Sequence, residues 1–178
     1  QQEKFVQQRR ERKQEEPLFV PTGLHIEAME LDASSAVSIS GQLWQKYPAA
    51  LAASSPRGVV FSGAKDLKLT PIDQRLDAAN QVMVYRSAFQ FVLRPWFNFS
   101  RYPLEIERFG IGLGPVERGG TQVLVPDLDS YNILLASQKP GLAPGLQVRG
   151  WTVESTAFVL RPRSENSRFG LPTRVDLE

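Results

Sequence analysis

The amino-acid sequence predicts an all-β protein, specifically an immunoglobulin-like β-sandwich with a short N-terminal helix. Between Gly23 and Leu160, apolar and polar residues alternate with period two in several short runs, which is the pattern of half-buried strands. Turn-forming residues separate these runs at short intervals, and helical periodicity is scarce after Pro17. The length of 178 residues suits one domain with a sizeable core. We therefore expect a β-sandwich over residues 17–178.

The first sixteen residues form a separate polar segment. They carry both signs of charge, and opposite charges three and four positions apart favour a solvated helix. A linker without regular structure fits the same composition. Residues 1–16 are thus predicted to be an N-terminal polar helix or linker, which Pro17 ends.

The strands can be placed one after another along the chain. Residues 23–47 predict a hairpin, because alternating runs flank the turn-forming residues 32–35. The strongest strand signal opens at Ala79 and stops at Pro95, since proline cannot donate to a strand ladder. The alternation in residues 104–113 changes parity near Arg108, which predicts a β-bulge. The remaining predicted strands are residues 58–63, 122–125, 131–135 and 146–160.

Composition and charge exclude several classes of function. The formal net charge is +2, with the bases spread among acids, so no basic stripe for nucleic acid is expected. The chain has no cysteine and a single histidine, His25, which argues against a metal site or a histidine-based triad. Ser62 and Lys65 match S-x-x-K without its companion motifs. We expect no cofactor, no metal and no enzymatic activity; the alternative is an enzyme that uses Asp127 and Asp129.

Trp44 is the residue that most clearly points to recognition. It shares its parity with Ser38, Ser40 and Gln42, which places its large ring on the polar face of the strand. An aromatic residue there marks a contact surface or packs under a loop. Arg86, on the polar parity of the long strand, is predicted to hold a carboxylate or to be solvated.

Three segments resemble the extracellular domain of pentameric ligand-gated ion channels, especially the bacterial members. Residues 22–31 and 37–47 resemble its first hairpin. Tyr102, Pro103 and Leu104 resemble the aromatic-proline turn of the family's signature loop, and residues 150–153 (GWTV) resemble the tryptophan-bearing strand ahead of its capping loop. The chain departs from the family in lacking the disulfide of the signature loop.

The resemblance implies a ligand at a subunit interface, and therefore a homo-oligomer, a pentamer in that family. Aromatic rings and arginines there would suit a small amine through cation-π contact or an organic acid through a guanidinium group. The residues that match the family's ligand-contacting positions are Trp44, Tyr47, Arg86, Tyr131, Arg168 and Phe169.

The predicted function is that of a small-molecule-sensing domain of a bacterial membrane receptor or ligand-gated channel-like protein, on the periplasmic or extracellular face of the membrane. It would be joined to the membrane by segments outside these residues, since no apolar run in them is long enough to span a bilayer. The alternative is a β-sandwich module that binds glycan or protein without signalling.

Overall fold

The computed structural model describes residues 17–97, 100, 106–116, 122–131 and 139–160. In these residues the protein is all-β, as the sequence predicts. A 3₁₀ turn, Leu128–Ser130, follows the last strand. The predicted helix or linker over residues 1–16 lies outside the described residues. The strands are β1 (Leu18–Leu31), β2 (Val37–Pro48), β3 (Val59–Ser62), β4 (Lys65–Asp77), β5 (Val82–Leu93), β6 (Gly112–Pro115) and β7 (Gln122–Pro126).

The strands form a five-stranded sheet with the order β4-β5-β2-β1-β7 and a two-stranded sheet of β3 and β6. All neighbours are antiparallel except β1 and β7, which run parallel. Pro21 lies inside β1, yet the chain does not break there. At that position β1 pairs with β7, and its pairing with β2 begins one residue later, at Thr22.

The predicted hairpin over residues 23–47 is confirmed by the pairing of β1 with β2. Its turn is organised by Asp32, whose Oδ1 accepts hydrogen bonds from the amides of Ser34 at 2.7 Å and Ala36 at 2.9 Å. Ser35 takes the left-handed backbone conformation that the tight turn requires, with φ of 62°. Hydrogen bonds from Ser34 and Ala36 hold the pKa of Asp32 below its ordinary value.

The main core lies between the two sheets. Alternate residues of β2 are buried, as period-two patterning requires. From the smaller sheet, Phe61 packs against two rings of β5, with ring centroids 5.3 Å from Phe89 and 4.6 Å from Phe91. The residues buried in this core are Leu24, Ile26, Val37, Ile39, Leu43, Val59, Phe61, Phe89, Phe91 and Leu93.

Strand β4 is the main element that the sequence analysis missed. It lies at the edge of the large sheet and is exposed along almost its whole length. Its pairing with β5 is irregular between Lys65 and Lys68 and again between Pro71 and Asp73. Because each irregularity shifts the parity and no face of β4 is buried, alternation could not reveal this strand.

Two predicted strands are wrong in extent. Residues 146–160 form no regular strand; within them there is an isolated bridge between Val148 and Trp151. Residues 106–111 are also without regular structure, so the predicted bulge near Arg108 is absent and β6 begins at Gly112. A glycine in each segment, Gly110 and Gly150, weakens the strand propensity on which the prediction relied.

The outer edge of β1, the side away from β2, is completed by three parts of the chain: β7 with Asp127 directly after it, Tyr131, and residues 141–143. Strand β7 pairs with residues 18–22, and the amide of Asp127 then donates to the carbonyl of Thr22 at 3.1 Å. The Tyr131 hydroxyl is hydrogen-bonded to both the amide and the carbonyl of Leu24. Ile26 donates to Gly141 and accepts from Ala143, both at 2.8 Å. These contacts hold residues 122–131 and 141–143 against β1. The face of the large sheet that lies opposite the core is called the outer face below.

Candidate functional site

Trp44 lies on the outer face of the large sheet, as predicted, and is half-buried there. Its indole rests on Gly23, its partner on β1. A methyl group added to Gly23 would come within 2.1 Å of the indole carbon Cζ2, so only glycine leaves room for the ring. The ring is therefore seated on the sheet and does not project freely into solvent.

Asp127 holds the other side of the Trp44 ring. Its carboxylate is 4 % exposed and accepts a hydrogen bond from the indole Nε1 of Trp44 at 2.7 Å. Lys46 Nζ lies 2.7 Å from Oδ2 and 3.0 Å from Oδ1, and Ser130 Oγ donates to Oδ2 at 2.6 Å. Trp44, Lys46, Asp127, Ser130 and Tyr131 are called the Asp127 cluster below.

The donors of this cluster keep the Asp127 carboxylate charged. Burial acts to raise the pKa of Asp127, but hydrogen bonds from Lys46, Ser130 and Trp44 outweigh that effect and hold the pKa below its ordinary value. Removing such a buried and hydrogen-bonded carboxylate is costly, because its partners then lose their acceptor. In this arrangement Asp127 joins strand β2 to the turn after β7.

Tyr131 is the last member of the cluster, and its hydroxyl makes the hydrogen bonds to β1 that a neighbouring strand would otherwise make. Its ring lies 5.4 Å from that of Trp44 and 5.0 Å from that of Phe158, measured between centroids. Its hydroxyl donates to the carbonyl of Leu24 at 2.8 Å and accepts from the Leu24 amide at 2.7 Å. Burial raises the pKa of Tyr131 to about 12, so the phenol is protonated and can make both bonds.

Arg86 lies beside Trp44 on the outer face, because the two residues are partners in the β2–β5 register. Its guanidinium makes a two-point ion pair with Asp73 on β4, with Nε 2.7 Å from Oδ1. Arg75 also donates to Asp73, at 3.0 Å. The hydrogen bond from Arg86 lowers the pKa of Asp73, and this group of two cations and one carboxylate carries a net charge of +1.

The other predicted contact residues do not join this group in the described residues. Tyr47 is 0 % exposed and lies on the opposite face of β2 from Trp44, where it packs with Val20 and Ala52. A ligand could reach it only if those side chains moved. Its hydroxyl donates to the carbonyl of Pro56 at 3.3 Å. Arg168 and Phe169 lie outside the described residues.

Neither Lys46 nor Asp73 is predicted from the sequence to belong to the site, and Asp127 is predicted only as one of a pair with Asp129. Asp127 turns inward to Trp44 and Lys46, whereas Asp129 is exposed. No local signal reveals this, because Asp127 is 83 residues from Trp44. The spacing of Asp127 and Ser130, which hydrogen-bond across three residues, was the one clue available.

The described residues bring no group of three or more histidine, cysteine, aspartate or glutamate side chains together in a way that could hold a metal ion. No helix in the same part of the chain is long and apolar enough to cross a membrane. No protein-family model matches this chain, and no curated protein is significantly similar to it.

Proposed function

We propose that this chain is the ligand-sensing domain of a bacterial membrane receptor or channel-like protein, and that it binds a small organic acid on the outer face of the large sheet, outside the cytoplasm. The observation that carries the proposal is the cross-strand pairing of Arg86 with Trp44, which places a guanidinium group and a half-buried aromatic ring on the same face of neighbouring strands. Such a pair offers an apolar surface and a charged fork for a carboxylate.

The guanidinium group of Arg86 favours an acid over an amine as the ligand. Arg86 and Arg75 share the single carboxylate of Asp73, while Lys46 and Asp127 neutralise each other. These five side chains together carry one positive charge, and the exposed carboxylate of Glu27 is hydrogen-bonded to Gln42 on the same face. An acid can exchange with Asp73 for the Arg86 fork, which would loosen the contact between β5 and the exposed edge strand β4. That exchange provides a way for ligand binding to alter strand packing.

The wider architecture agrees with a sandwich of the immunoglobulin type. A small sheet packs through Phe61 on one face of a larger sheet, and the ligand site lies on the other face. The resemblance of the β1–β2 hairpin and of residues 150–153 to ligand-gated channel domains supports an assignment to a membrane receptor. The same resemblance supports a homo-oligomer, in which neighbouring copies cover the apolar side chains that β4 exposes.

A thermal-shift screen of small carboxylates, amines and amino acids tests the ligand site. A carboxylate present at a hundred times its dissociation constant should add about 2.7 kcal/mol to the free energy of unfolding. For a domain of this size that raises the melting temperature by roughly 5–10 °C. The shift should vanish in Arg86→Gln and persist in Arg57→Gln, which removes an exposed cation elsewhere. Carboxylate hits that survive Arg86→Gln and Trp44→Phe undiminished would show that the site is wrong.

A second candidate function is a module that binds protein without signalling. It is favoured by β4, which exposes 39 % of Leu67, 39 % of Leu69, 46 % of Ile72 and 55 % of Leu76 on an open sheet edge. Sedimentation analysis separates the two functions. Self-association that Leu69→Lys abolishes supports the oligomeric receptor, whereas a monomer at all concentrations favours a different protein partner.

A further inference from the structure

A cavity of about 910 Å³ opens where the outer edge of β1 loses its partners. The last contact along this edge is that of Ile26 with Gly141 and Ala143. Beyond it, no described segment pairs with the outer edge of residues 28–31. Met29, Glu30 and Leu31 form one wall of the cavity, and residues 146–153 form the opposite wall.

The wall formed by residues 146–153 is held in place by short backbone contacts. Leu146 donates to the carbonyl of Ala143 at 3.1 Å, and Trp151 donates to that of Val148 at 2.9 Å. Gly150 takes a positive φ of 79° in the turn between Val148 and Trp151. Val148 is buried, and the Trp151 ring stacks on Phe97 at 6.5 Å. The cavity is therefore bounded by an anchored turn on one side and by a sheet strand on the other.

Two cations enter this cavity, Lys139 and Arg149, against one acid, Glu30. In the part of the chain that the structure describes, none of the three takes part in an ion pair. The lining thus combines a net charge of +1 with the apolar side chains of Met29, Leu31, Leu146 and Val153. The cavity is half open to solvent and its lining is more polar than apolar, while its volume is in the range of small-molecule clefts.

We infer that this cavity binds an amphipathic organic anion, with its acid group at Arg149 and Lys139 and its apolar body along Leu31 and Leu146. The site is separate from the Trp44 site of the proposed function. Met29 is six residues along β1 from Gly23, on which Trp44 rests, and at the rise of a strand this is a separation of about 20 Å. An uncharged or cationic molecule of the same shape lacks the contact with the two bases.

Octanoate is the probe for this site, with 1-octanol and octylammonium as matched neutral and cationic probes. Titration of the whole chain, followed by amide chemical shifts, should show octanoate binding with shifts at residues 29–31 and 146–153. Butanoate should bind more weakly, because it buries less apolar surface. Arg149→Gln should weaken octanoate about tenfold, and Lys139→Gln should also weaken it. Arg57→Gln, which changes an exposed cation outside the cavity, should leave the affinity unchanged.

Three results would overturn the inference: octanoate binding no tighter than 1-octanol, equal octanoate affinity in the wild type and both cavity variants, or shifts confined to residues outside the cavity. Shifts that centre on Trp44 and Arg86 would assign octanoate to the proposed ligand site instead. Because Arg86→Gln affects only that other site, failure of one proposal leaves the other open to its own test.

Discussion

The indole nitrogen of Trp44 and a carboxylate oxygen of Asp127 lie 2.7 Å apart, although 83 residues separate them in the chain. The same carboxylate binds Lys46 and Ser130. Asp127→Ala should lower the free energy of unfolding by about 3 kcal/mol, because it leaves an ammonium group and an indole N–H without their acceptor. Urea unfolding at neutral pH measures this loss. Asp129→Ala, on the exposed side of the same turn, should change stability by less than about 0.5 kcal/mol.

The Asp127 cluster should also make stability depend on acid pH. The folded-state pKa of Asp127 is lower than the 3.8 of an ordinary aspartate, so its contribution is present above about pH 5. It is lost as the pH falls through the folded-state pKa, because the unfolded chain takes up the proton first. The difference in stability between the wild type and Asp127→Asn should therefore shrink from about pH 5 towards pH 2. A difference that stays constant over this range would contradict the assignment of a depressed pKa.

Tyr131→Phe should remove both hydrogen bonds to the Leu24 backbone while keeping the ring in place. The amide and carbonyl of Leu24 would then be buried without partners, which costs about 2 kcal/mol of stability. Hydrogen exchange should show faster exchange at the Leu24 amide than in the wild type. Tyr85→Phe is the matched control, since no described residue is hydrogen-bonded to the Tyr85 hydroxyl. Equal effects of the two substitutions would refute the role given to Tyr131.

Gly23→Ala should displace the Trp44 ring. The added methyl would lie 2.1 Å from the indole, and such overpacking costs about 1–3 kcal/mol. Gly114→Ala provides the control, because a methyl group there meets nothing within 4 Å. Thermal melting should show the loss for Gly23→Ala alone. The double variant Gly23→Ala/Trp44→Ala should lose less stability than the sum of the two single variants, because the clash with the ring is gone.

Much of the fold follows from period-two patterning, and its failures have a common cause. Strand β2, strand β3 and the last five residues of β5 each have one buried face, which requires apolar residues at alternate positions. Strand β4 has neither a buried face nor an unbroken register. In residues 146–160 an alternation exists, but the segment crosses the sheet surface and is exposed at many positions without joining a ladder.

The candidate site was predicted only in part. Parity placed Trp44 and Arg86 on the same outer face, because cross-strand neighbours share a face whenever the register is regular. The same rule separates Tyr47 from Trp44, since residues three apart on a strand point to opposite faces. The roles of Asp127 and Asp73 depend on contacts across the fold. Such contacts leave no periodic trace in a single sequence.

The piecewise completion of β1 bears on how the protein is made. The backbone of Leu24 is hydrogen-bonded to a hydroxyl that lies 107 residues later in the chain, and the backbone of Ile26 is hydrogen-bonded to Gly141 and Ala143. A ribosome exposes β1 well before it delivers these groups. We expect folding to be slow and mostly complete only after translation has passed Ala143, as is usual for sheets built from distant segments. Until then the unpaired edge of β1 is open to capture by other nascent chains.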